Sequence, residues 1–187
     1  MALNVAKYSG VAVLIHWTIA VLIIANLILS HITELIPEES IRFAIDTHKS
    51  IGITVLGLVI MRILWRVTHK PPPPAEGLKS WEKRLSKLTH TLLYFLMVAM
   101  PLTGWMHDSA WKAAPEIPMR WFGLFEWPRI SAILTMEPER KEQVHGILGD
   151  WHENMGYILI ALVLLHIAGA LKHQLLDGEP LLQRMWR

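Results

Sequence analysis

Apolar residues in this chain gather into four long stretches separated by polar, charged and proline-containing segments. The first covers about residues 10–30 and carries no charge, the second about 46–67 and contains Arg62, the third about 90–107 and the fourth about 150–172. A hydrocarbon core of about 30 Å takes roughly 20 mostly apolar residues in helix, and each stretch is of that order. Backbone polar groups in lipid must be satisfied within the segment itself, so such spans are helical. The pattern predicts an all-α integral membrane four-helix bundle, a single domain over residues 1–187. The first stretch reads as an anchor rather than a cleaved signal, because its apolar run is too long and no small-x-small site follows it.

Charge separates the connections into two sets. The N-terminal segment, residues 62–90 and the C-terminal tail hold eleven basic and four acidic residues, a net +7, while residues 34–49 and 108–153 hold seven basic and twelve acidic, a net −5. Basic connections stay on the cytoplasmic side, so both termini are expected there and the two acidic connections outside. The basic connection begins with four prolines, residues 71–74, a stiff extended spacer. Leu78, Trp81, Leu85 and Leu88 then recur at helical spacing among lysines and Arg84. That segment is either a short helix lying on an anionic leaflet or an amphipathic lead-in to the third span. The longer acidic connection is rich in aromatic residues and proline, including Trp111, Trp121, Phe122, Phe125 and Trp127. Such rings settle at a membrane interface or form a surface for a redox partner.

Composition sharpens the chemistry. With 52% hydrophobic residues and a mean hydropathy of +0.33, the chain is too apolar for a soluble domain of its size. It has no cysteine, which excludes disulfides, thiolate zinc, iron-sulfur clusters and covalently attached c-type haem. Its ten histidines make imidazole the main ligand for any metal. No nucleic-acid partner is expected.

A histidine within a membrane span is costly and faces the bundle interior. His16 and His166 lie near the cytoplasmic ends of the first and fourth spans, and His48 and His152 open the second and fourth from the outside. His152 and His166 are fourteen residues apart, about 40° short of four turns and roughly 21 Å of rise, so one helix face presents imidazole at two depths. By depth, His16 pairs with His166 and His48 with His152. Two axial imidazoles saturate a haem iron and suit it to electron transfer, and a four-helix bundle is a natural host. The spacing predicts two bis-histidine b-type haems.

Other residues fit around them. Gly52, Gly156 and Gly169 lie on the faces of His48, His152 and His166, where a flat macrocycle needs room or where helices simply pack closely. Arg62 follows His48 by fourteen residues, at the level of the cytoplasmic-side centre, suited to a haem propionate or to lipid headgroups. His173, seven residues after His166, shares its face and suits hydrogen bonding and proton transfer to a quinone. His90 and His107 are placed at the ends of the third span, and His31, His69 and His145 in loops.

Together Ile15-His16-Trp17, His48-x3-Gly52-x9-Arg62, Pro101-Leu102-Thr103-Gly104, Trp151-His152-Glu153 and Leu165-His166 resemble the bacterial cytochrome b561 family over nearly the whole chain. The resemblance implies a dihaem protein of the bacterial inner membrane, with haem ligation by His16, His48, His152 and His166. It also implies electron exchange with ubiquinone, with His173 at the quinone site, and for some members oxidation of superoxide at the periplasmic face. A cytochrome b anchor subunit of a larger dehydrogenase has the same helix number and ligation. A histidine-lined transporter without haem is the reading from another class, and it predicts a colourless protein.

Overall fold

The structure, a computed structural model, describes residues 6–33, 35–73 and 77–186. Glu34, Glu76 and Arg187 of the charge tally, and Pro74 of the proline spacer, lie outside the described residues. The described chain forms α1 (Gly10–His31), α2 (Glu38–Thr68), α3 (Ser80–Ser109), a ribbon of β1 (Arg120–Trp121) and β2 (Phe125–Glu126), α4 (Ser131–Leu134), α5 (Pro138–Leu175) and α6 (Leu181–Arg184). The four long helices are each long and apolar enough to cross a membrane.

Local chemistry sets where they begin. Ser9 caps α1 through its hydroxyl, which accepts from the Ala12 N–H. Glu38 and Glu39 place negative charge at the positive end of α2. The Glu82 carboxylate reaches back to the Lys79 N–H at 2.9 Å, tying the first turn of α3. Pro138 opens α5, where its missing N–H costs nothing.

α3 packs on α5, α1 on α2, and α2 on α3, while neither α1 nor α2 packs backbone-close on α5. The buried cluster is Ile15 and Ile19 of α1 with Ile51, Val55 and Val59 of α2, covered by Tyr94, Met97 and Val98 of α3. Most other large apolar side chains point outward, among them Leu14, Val21, Leu64, Phe95 and Leu164, a distribution that only lipid accommodates.

The helices are longer than the apolar stretches. The Leu78 to Leu88 segment enters α3 without a break from Ser80 onward, so of its two readings the lead-in holds. α5 begins at Pro138, which puts His145 in a helix and not in a loop. His31 is the last residue of α1, again helical, and His90 and His107 lie within α3.

At the end away from the termini, the 110–137 connection folds back on the bundle. The ribbon pairs Trp121 with Phe125 around a tight turn in which Phe122 (φ 47°) and Gly123 (φ 73°) are both left-handed. Phe122 N–H donates to Ser50 Oγ at 2.9 Å and Trp121 Nε1 to Thr54 Oγ1 at 3.1 Å, fastening the ribbon to α2. Asp108, at the end of α3, accepts from Lys49 at 2.5 Å and from Arg129 at 2.8 Å. One carboxylate thereby joins α2, α3 and the connection. At the other end the segment before α1 meets α6, with Tyr8 N–H donating to the Arg184 carbonyl.

Candidate functional site

α5 carries one histidine of each predicted pair, and the structure brings each to its partner. Near the termini, the His16 and His166 ring centroids are 6.2 Å apart with ring planes at 79°. Near the ribbon, those of His48 and His152 are 6.0 Å apart at 80°. An imidazole nitrogen about 2 Å from a metal puts its ring centroid roughly 3 Å away, so two rings on opposite sides of one metal stand roughly 6 Å apart. Both separations fit one iron held between two imidazoles.

Hydrogen bonding at His152 points the same way. Thr103 Oγ1 lies 3.0 Å from the Ala99 carbonyl and 2.9 Å from that of Met100, so its single hydrogen is already donated. At 3.2 Å from His152 Nδ1 it can only accept. That fixes the proton on Nδ1 and leaves Nε2 with a free lone pair, the arrangement a metal-ligating histidine needs. His48 Nδ1 is buried with no hydrogen-bond partner among the described residues.

Gly104 of α3 serves the same ring. A Cβ there would stand 3.0 Å from His152 Cε1, so the Pro-Leu-Thr-Gly stretch supplies both the acceptor and the clearance for His152. Gly104→Ala should push the ring by a few tenths of an ångström. The expected result is a shifted reduction potential or lowered occupancy of the centre near the ribbon, read by redox titration, with the other centre unmoved. Around Gly52 and Gly169 an added Cβ would meet nothing within 4 Å, while at Gly156 it would touch Met100 Cε at 3.8 Å. The first two are positions where the chain keeps open space beside a histidine.

Arg62 donates from Nε to Tyr94 Oη at 2.9 Å and from Nη1 to the Ala12 carbonyl at 3.3 Å. Ala12 is one turn before His16, so the guanidinium is held at the level of the pair near the termini, with donors left over. His173, beyond His166 on α5, has Nδ1 2.5 Å from Asp177 Oδ2. Asp177 also accepts from Lys172 Nζ at 2.8 Å, and Lys172 reaches Glu82 of α3 at 2.5 Å. The Lys172 ammonium, and then the His173 ring, hold the Asp177 carboxyl below its ordinary range. This linkage is intact at neutral pH and is lost only as pH falls through that lowered value.

Two further histidines stand beside the pairs, and sequence spacing gave them no role. The His90 ring lies 5.1 Å from that of His166, with Nδ1 2.6 Å from the Ser86 carbonyl. His107 stacks on His145 at 3.9 Å with ring planes 11° apart, and a Cβ at Gly149 would come within 3.2 Å of His107 Nε2. The signal that could have placed His90 is its position on the face of α3 that meets α5, which only the packing of the two helices defines.

Residues 7–187 match the family model described as prokaryotic cytochrome b561. The chain belongs to the prokaryotic cytochrome b561 family. Among its curated relatives are cytochrome b561 homolog 2 and homolog 1 of Escherichia coli (strain K12), each 26% identical. The first alignment covers 96% of this chain and 90% of the relative, the second 96% of each. The probable superoxide oxidase CybB of Yersinia pestis is 27% identical, with 96% of each chain covered. This cytochrome b561 is therefore a multi-pass bacterial membrane protein of electron transport, an oxidoreductase of a family that carries b-type haem.

Proposed function

We propose that the chain passes electrons across the bacterial inner membrane through two b-type haems, exchanging them with ubiquinone. The observation that carries this reading is the pair of cross-helix histidine clamps, 6.2 and 6.0 Å wide, at two levels of one helix. His16 and His166 would hold one haem, and His48 and His152 the other. When bound, a bis-histidine haem b supplies reversible one-electron transfer without an open coordination position. The protein's own part is orientation and charge. Thr103 holds the tautomer of His152, Arg62 offers spare donors to an anionic propionate, and the apolar spans exclude water.

Quinone chemistry also moves protons, and the His173, Asp177, Lys172 and Glu82 group lies where a quinone can approach from the bilayer. With the Asp177 carboxylate accepting from Nδ1–H, the neutral His173 ring presents its Nε2 lone pair to accept the hydroxyl proton of a quinol. The charge asymmetry of the connections supports a cytoplasmic side for both termini, and hence for this group.

Superoxide as donor is supported by the name of the Yersinia relative. The acidic side of this chain, net −5, does not steer an anion inward. The exposed Phe122, Leu124 and Phe125 at the ribbon tip favour docking of a redox partner there, as an anchor subunit would require. Copurification of a second redox-active polypeptide would establish that role.

The deciding experiment is a reduced-minus-oxidised spectrum of purified protein with haem stoichiometry, before and after adding ubiquinol. Two haems per chain, both reduced by ubiquinol, are expected. A colourless protein, or one indifferent to quinol, would defeat the proposal. His173→Phe should retain both haems but slow quinol-driven reduction by an order of magnitude or more, the usual contribution of a positioned acid or base being about a hundredfold or greater. Unchanged kinetics would remove His173 from the mechanism.

A further inference from the structure

We propose that the cleft between the start of α1, the end of α2 and Tyr94 of α3 is a binding site for the phosphate headgroup of an anionic membrane lipid. The cleft holds about 460 Å³ and is lined by Lys7, Arg62, Arg66, His69, Lys70 and Tyr94, among others. Among the described residues no acidic side chain lines it.

Some cations elsewhere in the molecule are paired with carboxylates, and those of the cleft are not. Lys49, Arg129 and Lys172 each reach a carboxylate. Lys7, Arg62, Arg66 and Lys70 have no ion pair among the described residues. Positive groups lining one concave space with no counter-charge among the described residues repel one another, and an anion relieves that repulsion.

The site is also built. The guanidinium groups of Arg62 and Arg66 lie 5.9 and 5.8 Å from the Tyr94 ring centroid, so one aromatic face gathers both. Trp65 Nε1 donates to Ser9 Oγ at 3.0 Å, and the His69 ring stacks on Trp65 at 3.7 Å with planes 6° apart. This fixes the wall of the cleft across α1 and α2.

Two features favour a lipid over a free phosphate. The cleft runs from basic residues at its rim to Ala12 and Ile15, the start of an apolar span, which matches a charged headgroup followed by an acyl chain. It also lies where α1 enters and α2 leaves the membrane, the level of phosphate groups in a leaflet, and basic clusters there bind anionic lipid. The haem reading engages only Arg62, the innermost cation. Arg66, one turn farther out along α2, and Lys70, just beyond the end of that helix, are left for the headgroup.

The test uses the purified full chain with its haem in detergent, with mixed micelles of phosphatidylglycerol or phosphatidylcholine, or free glycerol 3-phosphate, added separately. Phosphatidylglycerol should raise the unfolding temperature and remain bound through purification, in a salt-sensitive way, while the other two should not. Arg66→Gln with Lys70→Gln should weaken phosphatidylglycerol binding about 25-fold, about fivefold per charge, and leave the haem spectrum unchanged. Arg66→Lys with Lys70→Arg should retain binding. Equal stabilisation by phosphatidylcholine or by glycerol 3-phosphate, or full binding by the double glutamine variant, would overturn the proposal. So would loss of a haem band in that variant, which would assign the cleft to the cofactor.

Discussion

Replacing His152 with alanine should remove one haem and leave the other. His152 lies 6.0 Å from His48, centroid to centroid, whereas His166 is fourteen residues away along α5 and faces His16. A helical rise of 1.5 Å per residue separates the two levels by roughly 21 Å, too far for one cofactor to use both. Haem content per chain should fall by half, with the remaining spectrum intact. His16→Ala should give the reciprocal result, sparing the centre near the ribbon. Loss of both haems from either variant, with the helical circular dichroism of the native protein preserved, would mean that the clamps are not separate sites.

Asp108→Asn should be the most damaging single change away from the histidines. The Asp108 side chain is 4% exposed and that of Arg129 6%, and Lys49 reaches the same carboxylate. Arg129 also donates to the carbonyls of Ala114 and Ile117, both at 2.6 Å, so it cannot swing out to water without dismantling the connection. Removing the shared carboxylate leaves, among the described residues, Arg129 without a counter-charge and Lys49 with only Asp46, at 3.8 Å. Breaking a buried pair in this way costs about 3–5 kcal/mol. The unfolding midpoint in detergent should drop sharply, and the 110–137 connection should become the first site of proteolysis. A variant as stable as the native chain would show that the triad is solvated.

Apolar length alone located all four spans, and the facing of His152 with His48 and of His166 with His16 was legible because His152 and His166 recur at almost whole turns of one helix. What escaped were features set by tertiary contact. The residues from Pro138 to Asp150 are charged and carry no lipid signal, so their continuation of α5 and the placing of His145 in it depend on helix propensity and on the cap at Pro138. His90 lies on no shared face with His166 that spacing could reveal. The two meet because α3 packs against α5. Gly104 reads as an ordinary small residue of a membrane helix until the His152 ring is seen 3.0 Å from where its Cβ would be. Phe122 gives no sequence hint of positive φ. Only Gly123 beside it marks the turn.

α5 has 38 residues, roughly 57 Å of rod, and it contributes a jaw to each clamp. α1 and α2 contribute one jaw each. In the proposed two-haem reading, both redox stations turn on a common axle: a tilt or roll of that rod would retune both at once, while motion of α1 or α2 would detune a single station. On that reading, coordinated control of the electron path has one mechanical handle, and near its N-terminal end the His145 ring, stacked on His107, ties it to α3.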